Sequence, residues 1–178
     1  MDHTDLRERF EQLILPHLPA AYNLARWITR READAEDLTQ EAFIRALQAF
    51  AGFRGGSSRA WMLTIVRNTC YSFLQRTRPH ETAEAFDDVA HLVEDESADP
   101  ETLLLNKATA DQIQRALDQM PVEQREVLIL REQEELSYGQ IAEIIGAPIG
   151  TVMSRLARAR GRVRTLLSEG KKGREVWR

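Results

Sequence analysis

Residues 137–152, Ser-Tyr-Gly-Gln-Ile-Ala-Glu-Ile-Ile-Gly-Ala-Pro-Ile-Gly-Thr-Val, leave the chain little choice of local structure. Ser137 and Gln140 stand three residues apart, the spacing of a capping box, in which each side chain satisfies the other residue's backbone N–H and a helix starts. Ala142 is small enough for a second helix to cross closely, Gly146 can take the left-handed conformation that ends a helix, and Val152 opens a new apolar stripe. That is the spacing of a helix-turn-helix. The second helix is predicted to run to about residue 167. It carries Val152, Leu156, Ala159, Val163 and Leu166 on one face and Thr151, Arg155, Arg158 and Arg162 on another. A basic face on a helix that projects from a turn suits the DNA major groove, where phosphates attract arginine and base edges offer it bidentate partners. The alternative is an ordinary helical hairpin with solvated arginines, but small residue, glycine and apolar positions all fall in register with the first reading.

Helical periodicity extends over most of the remaining chain. In residues 6–31, Phe10, Leu13, Ile14, Leu18, Ala21, Leu24, Ala25 and Ile28 recur at three- and four-residue steps, and Pro16 and Pro19 divide the pattern into two short helices. Asp34 is the predicted N-cap of the next helix, with Leu38, Ala42, Phe43, Ala46, Leu47 and Phe50 on one face. The run Gly52-Phe53-Arg54-Gly55-Gly56-Ser57-Ser58 breaks it, and Ser57 or Ser58 caps a helix through residue 76. Met62, Ile65, Val66, Thr69 and Phe73 point inward there, and Trp61, Thr64, Asn68, Tyr71 and Gln75 lie on the other side. Helices resume at Asp99-Pro100-Glu101. Ile113, Ala116, Leu117 and Met120 form a buried stripe, and residues 122–135 form a helix with Val127, Leu128 and Leu130 inside. No alternating apolar run is long enough for a strand, so the class is all-α.

The formal charge of -4 seems to oppose a polyanionic partner, but its distribution reverses that inference. Residues 1–79 hold 11 Lys/Arg against 9 Asp/Glu, residues 80–101 hold none against 9, and residues 102–178 hold 13 against 10. Two mildly basic helical domains, 1–79 and 102–170, are therefore expected on either side of a flexible acidic linker, 80–101, with a short tail at 171–178. A single cysteine, Cys70, excludes an internal disulfide and a zinc site of paired thiolates and fits a reducing cytoplasm. His3, His17, His80 and His91 fall into no metal-ligand spacing, and no glycine-rich phosphate loop follows a strand, so neither enzyme activity, metal nor cofactor is expected. The longest apolar runs, 13–15 and 127–130, are far short of the roughly 20 residues a bilayer requires, so no membrane insertion is expected.

Four segments together carry a resemblance. Asp34-Ala-Glu-Asp37-Leu38-Thr-Gln40-Glu41-Ala-Phe43, the stretch from Trp61 to Asn68, the stretch from Met120-Pro121 to Arg125, and Gly150-Thr151-Val152-Met153-Ser154-Arg155-Leu156 resemble an extracytoplasmic-function (ECF) sigma factor of bacterial RNA polymerase. The similarity covers nearly the whole chain, in order. It implies an N-terminal domain that binds core RNA polymerase and the promoter's -10 element, and a C-terminal helix-turn-helix that reads the -35 element. It also implies restraint by an anti-sigma protein.

The resemblance assigns residues as well. Asp37, Gln40, Glu41 and Phe43 match the stretch that contacts the polymerase, and two acids and an amide on one face suit a basic coiled-coil partner; a solvated face stapled by Glu41 and Arg45 is the alternative. Phe53, Arg54, Trp61, Arg67, Asn68 and Arg76 match the positions that handle the melted -10 strand. There an aromatic ring can stack on an extruded base and an asparagine can bond its edge, although an aromatic at a helix start is often a core residue. Ser72 and Gln75 depart from the family's usual acid and arginine. Thr151, Met153, Ser154, Arg155, Arg158 and Arg162 fall on the -35-reading helix. Met153 replaces a frequent basic residue and could meet a thymine methyl or pack internally. The acidic linker is either a passive spacer or, as the family implies, an RNA-like strand in the polymerase's basic RNA path. Two rival functions are a helix-turn-helix regulator that does not replace a sigma subunit, and a helical adaptor that never touches DNA.

Overall fold

The computed structural model describes residues 3–80 and 110–175. Residues 81–101 of the acidic linker and the helix start expected at Asp99-Pro100-Glu101 lie outside the described residues. Every regular element among the described residues is helical: α1 (His3–Leu13), a 3-10 turn (Leu15–His17), α2 (Leu18–Thr29), α3 (Glu32–Ala49), a 3-10 turn (Phe50–Gly52), α4 (Ser58–Thr77), α5 (Ala110–Asp118), α6 (Val122–Glu132), α7 (Tyr138–Ile145) and α8 (Ile149–Glu175).

Proline and serine set two of these boundaries as expected. Pro16 sits in the turn that separates α1 from α2, where a missing N–H costs nothing. Ser57 caps α4 by accepting from the Ala60 N–H at 3.1 Å. Asp34 is not the N-cap of α3. Arg30, left-handed at φ 63, ends α2 and leaves Arg31 in extended conformation as the residue before α3, so Asp34 falls inside the first turn. Its carboxylate there complements the helix dipole and pairs with Arg78 from the end of α4, whose Nη1 also donates to the Thr29 carbonyl at 2.9 Å.

Helices α2, α3 and α4 pack around Leu24, Ile28, Leu38, Met62, Leu63, Val66 and Leu74, all buried. Leu47, expected on the inner face of α3, points out and is 48% exposed. The α3–α4 connection is pinned by aromatic rings. Phe50 meets Phe10 edge-on at 5.3 Å and stacks on Phe53 at 5.8 Å, and Phe53 lies 5.1 Å from Trp61. Gly55 and Gly56 follow at φ 93 and 90, which an L side chain would strain.

In the C-terminal half, Val152, Leu156, Ala159, Val163 and Leu167 of α8 pack against α5, α6 and α7. Leu167, not Leu166, closes the stripe, and α8 continues to Glu175, into the stretch expected to be tail. The two halves are in contact: α2 lies on α6, and α4 lies on α7.

Candidate nucleic-acid interface

The turn between α7 and α8 is built by backbone bonding. Ser137 Oγ accepts from the Gln140 N–H at 3.2 Å and Gln140 Oε1 accepts from the Ser137 N–H at 2.9 Å, completing the capping box. Gly146 adopts φ 66, and the Ala147 N–H reaches back to the Ala142 carbonyl at 3.1 Å, the six-to-one bond of a Schellman motif. The Pro148 carbonyl then receives the Thr151 and Val152 N–H groups and starts α8.

With its apolar stripe turned inward, α8 presents the other residues singled out from the sequence. Met153 is half exposed and Arg162 exposed, while Thr151, Ser154, Arg155 and Arg158 are intermediate. Met153 is therefore not a packing residue. Ile149, one turn earlier, is equally exposed and extends the apolar end of this face. Ser154 Oγ donates to the Thr151 carbonyl at 3.0 Å.

The residues expected to handle the -10 strand do not form one patch. Arg54, Asn68 and Arg76 are exposed, and Arg76 Nε donates to the Ser72 carbonyl at 3.1 Å. Phe53 and Trp61 are half-buried members of the aromatic cluster. Arg67 turns toward the C-terminal half. Its Nε and Nη2 donate to Glu126 of α6 at 2.9 and 3.1 Å, and its guanidinium lies 4.2 Å from the Tyr71 ring centroid. Arg155 Nη1 approaches the same carboxylate at 3.8 Å. Thus one residue expected at each promoter element converges on a wholly buried glutamate.

Burial dominates the titration of this cluster. It opposes the charge on Arg67, but the Glu126 charge and hydrogen bonds outweigh it and raise that guanidinium further. It pushes the Tyr71 hydroxyl well above the phenol range, reinforced by Glu126. Glu123, one turn before Glu126 on the solvent-shielded side of α6, is raised by burial and has a carboxylate oxygen without a hydrogen-bond partner among the described residues. The Cys70 thiol is pushed up to about 12 by burial and then by Glu41 and Glu126, so it stays protonated at neutral pH.

On α3, Asp37 and Gln40 are exposed and Glu41 pairs with Arg45. Ile44 and Leu47 continue the same strip at 58% and 48% exposure, giving it an apolar end that hydrophobic periodicity does not place at the surface. Phe43 is half-buried against the core and lies off this strip. Among the described residues, no group of His, Cys, Asp and Glu could hold a metal ion, and no helix is long and apolar enough to cross a membrane.

Comparison with known proteins places these faces in context. The sequence model of Sigma-70 region 2 matches residues 13–79, and that of Sigma-70, region 4 matches residues 110–172. The chain is 35% identical over 162 residues to the ECF RNA polymerase sigma factor SigM of Mycobacterium tuberculosis, covering 90% of this chain and 78% of SigM. It is 32% identical over 160 residues to the ECF RNA polymerase sigma factor SigE of Mycolicibacterium smegmatis, covering 90% of this chain and 62% of that protein's length. Among solved structures, the sigma factor RpoE of Bartonella quintana, in complex with the anti-sigma factor NepR, is similar at 31% identity and a TM-score of 0.69, covering 90% of this chain and 98% of that one.

Proposed function

The chain belongs to the ECF sigma factors of bacterial RNA polymerase, and on that premise we propose that it docks on core polymerase and directs it to promoters through two DNA-reading faces. The observation that carries this is α8: a helix released from a capped helix-turn-helix, with its apolar side buried and Thr151, Met153, Ser154, Arg158 and Arg162 on the remaining surface. Arginine at Arg158 suits a guanine edge or a phosphate, and the half-exposed thioether of Met153 suits a thymine methyl. In this reading residues 102–170, extended by α8 to Glu175, take the -35 element.

Residues 1–79 take the polymerase and the -10 element. Asp37, Gln40 and Glu41 offer acids and an amide to a basic partner, and Ile44 and Leu47 give that contact an apolar end to bury. Asn68 is free to bond a base edge, Phe53 and Trp61 can offer ring faces, and Arg54, Arg67 and Arg76 supply cations to the strand. Phe43 holds α3 against its neighbours and positions the docking strip. Like other sigma factors, the protein is a non-enzymatic initiation factor, working on polymerase in the cytoplasm, and phosphodiester synthesis belongs to the polymerase. An anti-sigma protein is part of the proposal, because the similar RpoE structure contains one.

A photo-crosslinking residue at Met153 tests the central geometry. In holoenzyme on promoter DNA, it should crosslink to the -35 duplex. Crosslinks confined to protein would remove the DNA-reading role from α8.

A further inference from the structure

The surface that α8 offers is not basic where it stands out furthest. Ile149, Met153 and Ala157 recur at four-residue steps along one line of the helix, and all three are exposed, with exposed Gly150 beside them. Ile149 and Met153 are each 50% exposed, so two large apolar side chains protrude one turn apart while Gly150 and Ala157 keep the surface around them low. A Cβ added at Gly150 would meet nothing within 4 Å, so the fold does not require glycine there. Over these first turns the line carries no charge and no hydrogen-bonding side chain.

The polar residues of the same turns are set back from it. Ser154 Oγ donates to the Thr151 carbonyl at 3.0 Å, and both residues are only partly exposed. The Arg155 side chain is 14% exposed and its Nη1 lies 3.8 Å from Glu126 of α6, within the C-terminal half itself, so this arginine braces α8 from behind. Cations border the apolar line instead. Arg158 and Arg162 lie to one side of it, and Arg160, which donates to Glu132 at 2.9 Å, continues it toward the C-terminus.

A partner for this face must be apolar at its centre and anionic at its edges. A DNA major groove meets that description where its floor carries thymine, because the C5-methyl is the apolar group that bases display there and phosphates form both walls. The N-terminal turns of a recognition helix are also the part that reaches base edges. Resting on the sigma-factor reading, we propose that Ile149 and Met153 are specificity-determining residues that select the -35 element by its thymine methyl groups, one methyl to each side chain. Four residues span about 6 Å along a helix axis, the rise of about two base pairs. The two thymines therefore lie within about two base-pair steps of each other, on either strand.

Deoxyuridine tests this at the level of one carbon, because it keeps every hydrogen-bonding group of thymine and lacks only the methyl. Holoenzyme reconstituted from full-length chain and core polymerase would select promoters from a random library, and the selected -35 duplex would be remade with deoxyuridine at one thymine at a time. Holoenzyme affinity should fall about fourfold at each of two thymines, the worth of one methyl buried against an apolar side chain. Met153→Ala should abolish the fall at one of them and Ile149→Ala the fall at the other. Arg162→Ala should weaken binding and leave both falls in place. Both alanine variants alter exposed side chains, and the deoxyuridine series on wild type needs no variant at all. A selected -35 element without thymine, wild-type binding insensitive to every deoxyuridine, or both falls persisting in either alanine variant would each overturn the proposal and leave the sigma-factor reading intact. Failure of the holoenzyme to select any shared -35 element would refute that reading, and the proposal with it.

Discussion

Arg125 is the most deeply buried charge among the described residues, and replacing it by methionine tests how α2 and the C-terminal core are joined. Its Nη1 donates to the Leu117 and Met120 carbonyls, both at 3.1 Å, and its Nη2 to the Ile28 carbonyl of α2 at 3.3 Å. In Arg125→Met the Leu117 carbonyl keeps the Met120 N–H, and the Met120 carbonyl keeps Arg30. Ile28, in the last turn of α2 and beyond that helix's own ladder, loses its partner. One orphaned carbonyl costs about 1–3 kcal/mol, and two weakened charged bonds add to it; relief from burying a guanidinium offsets part, leaving a loss of about 3 kcal/mol. For a chain of this size that is about 6–12 °C in Tm. Urea denaturation followed by circular dichroism would measure it. Arg125→Lys restores the charge without the planar fork and should recover about half of the loss. A methionine variant within about 1 kcal/mol of wild type would refute the reasoning, and so would a lysine variant as stable as wild type.

Three further outcomes follow from the proposed faces. Glu41→Lys should weaken binding to core polymerase while helical content is unchanged; equal affinity in a pull-down series would remove Glu41 from the docking strip. Arg158→Ala should cost about 1–3 kcal/mol on the selected -35 duplex if it reads a base, whereas Arg162→Ala should mainly reduce the salt dependence of binding by about one phosphate; no effect from either would contradict the assignment of α8. Glu123 is held above the ordinary carboxylate value of 4.5 by burial, so it costs nothing where it is protonated in both folded and unfolded chains and stability is lost as pH rises through its folded value. Glu123→Gln should therefore raise Tm at neutral pH, with the gain vanishing below about pH 4.5; destabilisation at neutral pH would show that the charge is needed.

Local signals in the sequence translated directly where one residue type dictates one backbone event. Ser137 with Gln140, Gly146, Pro16 and Ser57 each act within a few residues, and each sits where the pattern placed it. Asp34 looks like a cap because an acid ahead of an apolar helical stripe commonly is one, and nothing local reveals that Arg78, 44 residues later, is its partner. Hydrophobicity alone turns Leu47 inward, whereas it continues the exposed strip of Asp37, Gln40 and Ile44. Leu63, Cys70 and Leu74 fall outside a single apolar stripe because α4 is apolar on more than one side, facing both its own bundle and α7. The polar part of the contact between the halves is invisible for a related reason: Arg59, Arg67, Glu126, Glu134 and Asn23 in one dimension read as solvated surface.

Transcription in vitro tests the central claim most directly. Purified full-length chain would be added to bacterial core polymerase on a library of promoter templates, and the transcripts sequenced. The account predicts discrete start sites that appear only when the chain is present, share -35 and -10 elements, and fade with Arg158→Ala or Glu41→Lys. Transcription no different from core polymerase alone, or start sites that neither substitution affects, would contradict it.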